Sequence, residues 1–531
     1  MWLHDVLFCL FAAFLTSRTV QLAEASLTAR QKGTEVELPQ ILKGPRKVDM
    51  LANITGFQPL PYPDDVIRNA TLNVSDIQCD ILVGMKKKRE LFYFFTINDP
   101  KSFKVKLHNT VVPQITSTFQ MLAVATQPIV AVNLAFSQTG LSKLGITDNL
   151  NDPTFSAGQF VDANNLGDPG TGNWVKAFTA TEKLHGLFLI ASDDQVFIDA
   201  EVQFLQSLFG PDISNLYSLQ GAIRPPPFDG HEMFGFLDGV GQPAVAGFNL
   251  APFPGQLTIN AGIILVGEPG DSLPRPSWAK DGSFLAFRQL QQLVPEFDQF
   301  LFQNAPSVPG FSQQESADLL GARMVGRWKS VRVFLLSRWE GKFNEALQGT
   351  PIDLAPLVDN PSIGNDPNQN NDFDFFHPGF PFNSDQSHCP FDAHIRKTRP
   401  RADLNAPFNT IMRAGIPYGP EVTPTENKTG KSNLKLERGL AFVAYQSQLA
   451  QGFQFMQRAW ANEPSFVFGK NVAPGFDPII GANHGNPRFM SGYDVADETQ
   501  VLKLPFDFVI SRGGSYLFSP SISALKNVIS V

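Results

Sequence analysis

Of 531 residues only 17% are charged, and 47 phenylalanines stand against seven tyrosines and six tryptophans. So apolar a chain has ample core material and is not a disordered polymer. Its 42 basic and 50 acidic residues leave a net charge of −8, the wrong sign for neutralising nucleic-acid phosphates, so no nucleic-acid partner is expected.

In chain order, the first feature is an apolar run, Val6–Leu15, followed by the small-x-small pattern Ala23-Glu24-Ala25. This reads as a secretory signal over residues 1–25 and implies an extracellular protein. The run is too short to cross about 30 Å of hydrocarbon, and no longer one occurs, so no membrane association is expected after cleavage. Residues 26–70 are polar, Pro-rich and aperiodic, and read as a propeptide or flexible arm. Acceptor sequons at Asn53, Asn69, Asn73 and Asn427 predict glycosylation at one or more of them. Beyond the signal only Cys79 and Cys389 remain, which excludes a disulfide scaffold and leaves one bridge or two buried thiols.

From about Leu72 the pattern is globular, and it repeats. Gly186-Leu-Phe-Leu-Ile-Ala191 and Gly439-Leu-Ala-Phe-Val-Ala444 share a Gly-Leu-x-apolar-apolar-Ala core, and each precedes a helical pattern. In the first the helical stripe is Val196, Phe197, Ala200, Phe204, Leu205 and Leu208; in the second it is Leu449, Phe453, Met456, Gln457 and Trp460. Each half also opens on a strand, Leu91–Phe95 and Phe284–Phe287. Strands alternating with helices within each half predict an α+β fold of two similar units, spanning 71–255 and 256–531. The second unit carries an extra aperiodic stretch, from about Gly349 to Glu421, rich in Asn, Asp, Pro and Phe. A loop of that length in a compact domain is functional or disordered.

Three of the eight histidines, His377, His388 and His394, lie in this stretch. Spacing alone leaves each of them open as metal ligand, general base or solvated loop residue. No HExxH, CxxC, GxxxxGK[ST] or CxxCH motif occurs, which removes the common zinc, redox, nucleotide and covalent-haem signatures.

Three longer motifs are more specific. Gly235-Phe-Leu-Asp-Gly239, extended to Gln242-Pro243, resembles the GxxDG motif of the dye-decolorizing peroxidases. Cys389-Pro-Phe-Asp-Ala-His394, continuing to Arg401, resembles that family's proximal-histidine segment. Ile411-Met-Arg413-Ala-Gly-Ile-Pro-Tyr418 resembles its distal-arginine segment. The likeness runs from about Asp76 to Pro520, with the motifs in family order.

The resemblance implies two ferredoxin-like domains and one non-covalent haem b per chain, held mainly by the second domain. It makes His394 the axial iron ligand and Asp477 the acceptor that fixes its tautomer. Arg401 would pair a haem propionate. Asp238 would act as acid-base and Arg413 as charge stabiliser toward H2O2. Gly235 and Gly239 would let the backbone approach the porphyrin, and Leu440 and Phe442 would line the pocket. Tyr418 and Trp460 would pass electrons at the surface from bulky dyes, phenols and other aromatics. The implied protein is a secreted, monomeric haem peroxidase. Its rivals are a haem-binding glycoprotein without turnover, and the same scaffold with hydrolytic or oxygenase action on dyes; the presence of both Asp238 and Arg413 argues against mere binding.

One segment departs from the family pattern. Gly321–Ser330 resembles a stretch that runs directly into a Gly-x-Pro-Ile continuation, but here Gly349-Thr-Pro-Ile352 follows only after Val331–Gln348. These 18 residues correspond to 54 nucleotides, with Val-Arg writable as a splice donor and Gln as an acceptor, so the insert reads as a retained intron. Sequencing of mature messages is expected to return mostly transcripts lacking those 54 nucleotides.

Overall fold

The computed structural model describes residues 71–123, 127–248, 252–329 and 349–531. The signal, the propeptide, Asn53, Asn69 and the Val331–Gln348 insert lie outside them.

The strands are β1 (Arg89–Ile97), β2 (Val130–Phe136), β3 (Gly186–Ser192), β4 (Ile213–Ala222), β5 (Ala244–Val245), β6 (Thr258–Ile259), β7 (Ser283–Gln292), β8 (Met412–Arg413), β9 (Ile416–Tyr418), β10 (Gly439–Gln446), β11 (Arg488–Ser491), β12 (Val501–Leu504) and β13 (Val509–Ser519). Aromatic and branched side chains favour these extended runs. Both duplicated Gly-Leu segments are strands, and the first is buried along its whole length.

In the first half the sheet order is β2-β3-β1-β4; in the second it is β13-β7-β10-β9. With β8 and β9, which both pair with β10, counted as one interrupted strand, each half numbered by appearance is the antiparallel order 4-1-3-2, with helices in the crossovers, which is the ferredoxin-like arrangement. The predicted helix after β3 forms as Gln195–Phe209, capped by the Asp194 carboxylate accepting from Val196 N at 3.2 Å. After β10 the predicted stripe forms a short helical turn, Phe453–Phe455, that continues as a π-helix, Met456–Ala461.

The two sheets are joined edge to edge. Phe518 of β13 pairs with Phe136 of β2, and Gly221 of β4 pairs with Tyr418 of β9, while β7–β10 holds the second sheet together. The ring of strands therefore closes, which removes the exposed edges of both halves. Because side chains alternate along a strand, Phe92 and Phe94 enter one core cluster and Tyr93 and Phe95 another. The first cluster draws on every strand of the ring and is its inside. There small residues, Ala131, Ala135, Ala191 and Ala441, face large ones, and Phe287 contacts both Phe92 and Phe94 at 5.1 and 5.0 Å between ring centroids. Cys79 lies in this inner cluster and Cys389 in a separate one under the long loop; both are free thiols, not a bridge.

The alternation that sends Ala441 and Val443 inward leaves Leu440 and Phe442 on the outer face of β10. Over that face lies the long loop that runs from 349 up to β8, built of turns and short helices, among them Pro361–Gly364 and His394–Thr398. Its folded course depends on buried arginines. Arg396 donates to both Asp403 carboxylate oxygens at 2.7 and 3.0 Å and to Cys389 O at 2.7 Å. Arg323, fully buried on the helix Gln313–Val325, donates to Gly492 O at 2.7 Å and Gln386 O at 2.5 Å. Gly326 ends that helix at φ +97°, and a Cβ there would sit 2.3 Å from Ile395, so glycine permits the close packing on the His394 helix.

The flanks of the insert meet: Arg327 and Pro351 form an isolated antiparallel bridge, and Trp328 N donates to Thr350 O at 2.9 Å. Loop length alters stability weakly, each doubling costing about 0.6 kcal/mol. Deletion of 331–348 is therefore expected to give a folded protein melting within about 5 °C of the full chain by circular dichroism.

Candidate functional site

A cavity of about 1180 Å³ opens between the outer face of β10 and the long loop. This is above the usual 300–1,000 Å³ of small-molecule sites. Asp238, His394, Arg413, Leu440, Phe442 and Trp460 all line it, so residues spread over more than 200 positions converge.

Asp238 comes from a loop of the first half in which Gly235 and Gly239 adopt φ +96° and +84°, a region open to glycine at little cost. Gly239 N donates to Asp238 Oδ1 at 2.7 Å. The Arg413 guanidinium, from β8 of the second half, donates to the same oxygen. Among the described residues Oδ2 accepts no hydrogen bond, and Asp238 lines the cavity. Burial works to raise the Asp238 carboxyl, but the adjacent Arg413 charge and hydrogen bond outweigh it and hold the group below its ordinary range. Gln242 fixes the arginine's backbone from both sides, donating to Arg413 O at 2.5 Å and accepting from Arg413 N at 3.1 Å. The sequence showed Gln242 only as an extension of a motif; its clamp depends on the two halves meeting.

His394 starts its helix with Nδ1 hydrogen-bonded to Asp477 Oδ2 at 2.8 Å. Asp477 is fully buried, and its other oxygen accepts from Ile479 N and Ile480 N at 2.8 and 2.9 Å. Burial alone would lower the imidazole; the Asp477 carboxylate overcomes it and raises its basicity. With Nδ1 engaged, Nε2 is the nitrogen available to the cavity. His377 and His388 stack on each other at 3.7 Å, and His377 pairs with Asp353 at 3.0 Å. Neither lines the cavity.

Four more arginines line it: Arg288, which is paired with Asp168 at 2.5 Å, and Arg327, Arg399 and Arg401. Arg401 stacks over Phe373 at 3.8 Å and donates to Asn371 O at 2.9 Å and Asn371 Oδ1 at 2.6 Å. Arg399 Nη1 is buried without a partner. Burial, with the neighbouring guanidiniums of Arg399 and Arg413, lowers Arg327 to about 9. Burial, then Arg399 and Arg327, lowers Arg401 as well. Such surplus positive charge suits an anionic occupant. Among the described residues no three His, Cys, Asp or Glu side chains converge as a bare-metal site, so an iron at His394 must bring its other ligands. A carboxylate-bearing porphyrin satisfies both requirements, and the residues fit haem.

The expectation that Tyr418 and Trp460 lie at the surface is corrected. They are 4% and 2% exposed, because Tyr418 faces the packed inside of the ring and Trp460 packs with Phe391 and Phe466 at the cavity wall. Tyr418 points into the ring of strands and donates to Glu437 Oε1 at 2.8 Å. Trp460 stacks on Phe466 at 5.2 Å. Sequence reading missed half-buried Tyr217, which donates to Gln289 Oε1 at 2.8 Å, while Gln289 donates to the same Glu437 oxygen. Its signal, an aromatic on β4, is indistinguishable from core packing.

Residues 76–225 match the family described as "DyP dimeric alpha+beta barrel domain" and residues 229–467 that described as "Dyp-type peroxidase, C-terminal". The chain is 52% identical over 503 residues to a dye-decolorizing peroxidase of Exidia glandulosa, covering 94% of this chain and 95% of the relative. It is 51% identical over 502 residues to one of Auricularia auricula-judae, covering 93% and 94%. The crystal structure of a fungal DyP-type peroxidase from Auricularia auricula-judae superposes with a TM-score of 0.81 at 51% identity, covering 87% of this chain and all of that one.

Asp477→Asn keeps the shape of the side chain but removes the charge behind His394. It is expected to weaken haem binding or peroxide reactivity about 10–100-fold, by haem titration and stopped-flow absorbance.

Proposed function

The chain belongs to the dye-decolorizing peroxidase family, and from that premise we propose that Asp238, Arg413 and His394 carry its chemistry. The enzyme is a haem-dependent peroxidase that reduces hydrogen peroxide and oxidises dyes and other aromatic compounds. We read the haem as b-type, non-covalent and one per chain. His394 Nε2 would hold its iron, Asp477 would keep that nitrogen unprotonated and basic, and Arg399 and Arg401 would receive its carboxylates. When bound, haem supplies the iron that meets peroxide and the oxidising capacity that aromatic donors discharge in one-electron steps.

The observation that carries this reading is the Asp238–Arg413 contact with Oδ2 unengaged. Oδ2 takes the proton from one peroxide oxygen and delivers it to the other as the bond between them breaks. Arg413, held by Gln242, lays fixed positive charge against the oxyanion that develops. Leu440 and Phe442 supply an apolar wall that strengthens both effects by excluding water. Aromatics too bulky to enter the cavity would be oxidised through protein side chains. Trp460 lines the cavity, and the Tyr418–Glu437–Gln289–Tyr217 hydrogen-bonded chain ends at a partly exposed phenol.

We further read the protein as a secreted, glycosylated monomer made of the units 71–255 and 256–531, with 331–348 a retained intron. The described sequons, Asn73 and Asn427, are both exposed, the strand order repeats in each half, and no helix of the described residues is long and apolar enough to cross a membrane.

Because Asp238 ionises below the ordinary carboxylate range, its contribution to stability is present above about pH 4 and is lost as pH falls through the lowered value. Catalysis follows the same limb. The rate of reaction with peroxide is expected to stay level from neutral pH to below about pH 4, where a histidine base would already have failed. Asp238→Asn is expected to cut that rate about 10²–10⁴-fold by stopped-flow, with the haem absorbance band retained.

A further inference from the structure

We propose that Tyr516 is an internal electron donor to the cavity, its phenolic proton passing to Asp162. The proposal rests on the peroxide chemistry of the same cavity.

Tyr516 lies on β13, 1% exposed, and its hydroxyl donates to Asp162 Oδ2 at 2.6 Å. Asp162 is itself buried, and its other oxygen accepts from Gln454 Nε2 at 2.7 Å and Asn165 Nδ2 at 3.1 Å. Two amides thus hold the carboxylate in place and leave Oδ2 to the phenol. The ring of Tyr516 meets that of Phe453 edge-on at 6.3 Å between centroids, and Phe453 meets Phe442 at 5.6 Å. Both phenylalanines line the cavity. Tyr516 is therefore separated by one packed ring from the space where peroxide is consumed.

A phenol that loses an electron becomes a strong acid. In a dry interior the resulting cation is not stabilised by water, so oxidation proceeds only where a base already holds the proton. Asp162 is that base. In the step, one electron leaves Tyr516 for the peroxide-oxidised centre of the cavity, which falls by one oxidising equivalent. The phenolic O–H bond breaks and an O–H bond forms at Asp162 Oδ2, leaving a neutral tyrosyl radical beside a neutral acid. On reduction by one electron from an aromatic donor the proton returns. The pair stores an oxidising equivalent when no donor is present and spares the residues of the cavity wall.

A second pair tests the specificity of the assignment. Tyr445 donates to Asp80 Oδ2 at 2.7 Å, but it faces the inside of the strand ring rather than the cavity, and burial raises the Asp80 carboxyl, which makes it a readier proton holder at rest and a poorer acceptor.

The test is electron paramagnetic resonance on the haem-loaded full chain at pH 5, frozen after H2O2 is added without a donor. With Tyr217 and Tyr418 of the other hydrogen-bonded chain both replaced by Phe, a tyrosyl signal is expected to persist, also on adding Tyr445→Phe, and to be lost on adding Tyr516→Phe or Asp162→Asn. In the wild-type fold, 3-fluorotyrosine placed at position 516 alone is expected to add fluorine hyperfine splitting to the signal. A signal that survives Tyr516→Phe in the Tyr217→Phe, Tyr418→Phe background, a fluorinated protein without the splitting, or a wild type that oxidises dye but yields no tyrosyl signal overturns the proposal. A protein that fails to oxidise dye fails the peroxidase reading instead.

Discussion

A carboxylate from one half of the chain must remain ionised inside a cavity, and it does so only because a guanidinium from the other half is brought against it. The Asp238–Arg413 contact links residues 175 positions apart. Neither side chain could be placed there by its own half. The sheet has to close, β10 has to present its outer face, and Gln242 has to hold the backbone of β8 before the arginine is in position. An unpaired carboxylate in that place would be driven toward its neutral form by burial.

The opposite sign of the problem appears around Arg399, at another part of the cavity lining. Arg327, Arg399 and Arg401 repel one another in the same cavity, and one guanidinium nitrogen of Arg399 has no partner. Clustered cations are tolerable in a folded protein when a bound anion completes the charge balance. On the proposed reading the site has two kinds of compensation, one internal at Asp238 and one that the cofactor's carboxylates would supply. His394 follows the internal pattern, since its imidazole is oriented by a carboxylate that backbone amides hold in turn.

Particular elements show how far the sequence was legible. β1, β3, β7 and β10 were readable because alternation and β-branched or aromatic runs are local signals, and the repeat itself pointed to two like units. Asp238, His394 and Arg413 stood out by the long motifs around them, and Leu440 and Phe442 by alternation on a strand. Gln242, Arg399 and Tyr217 did not stand out, since a glutamine, an arginine and a tyrosine in isolation carry no distinctive spacing. Tyr418 and Trp460 were placed at the surface and are buried, because burial of an aromatic on a strand or helix depends on which element covers it.

The sequence by itself determined the α+β class, the duplicated order of strands and helices, the absence of covalent-haem and zinc motifs, and the chemically distinctive residues. Those follow from periodicity, composition and motif, which are properties of neighbours along the chain. Only the tertiary structure decided that the two sheets close into one ring, that Asp238 meets Arg413, that Cys79 and Cys389 remain apart, and that Arg327, Arg399 and Arg401 share one cavity. Each of these is a contact across dozens to hundreds of residues, selected by the packing of whole faces and by the electrostatic cost of leaving a buried charge alone.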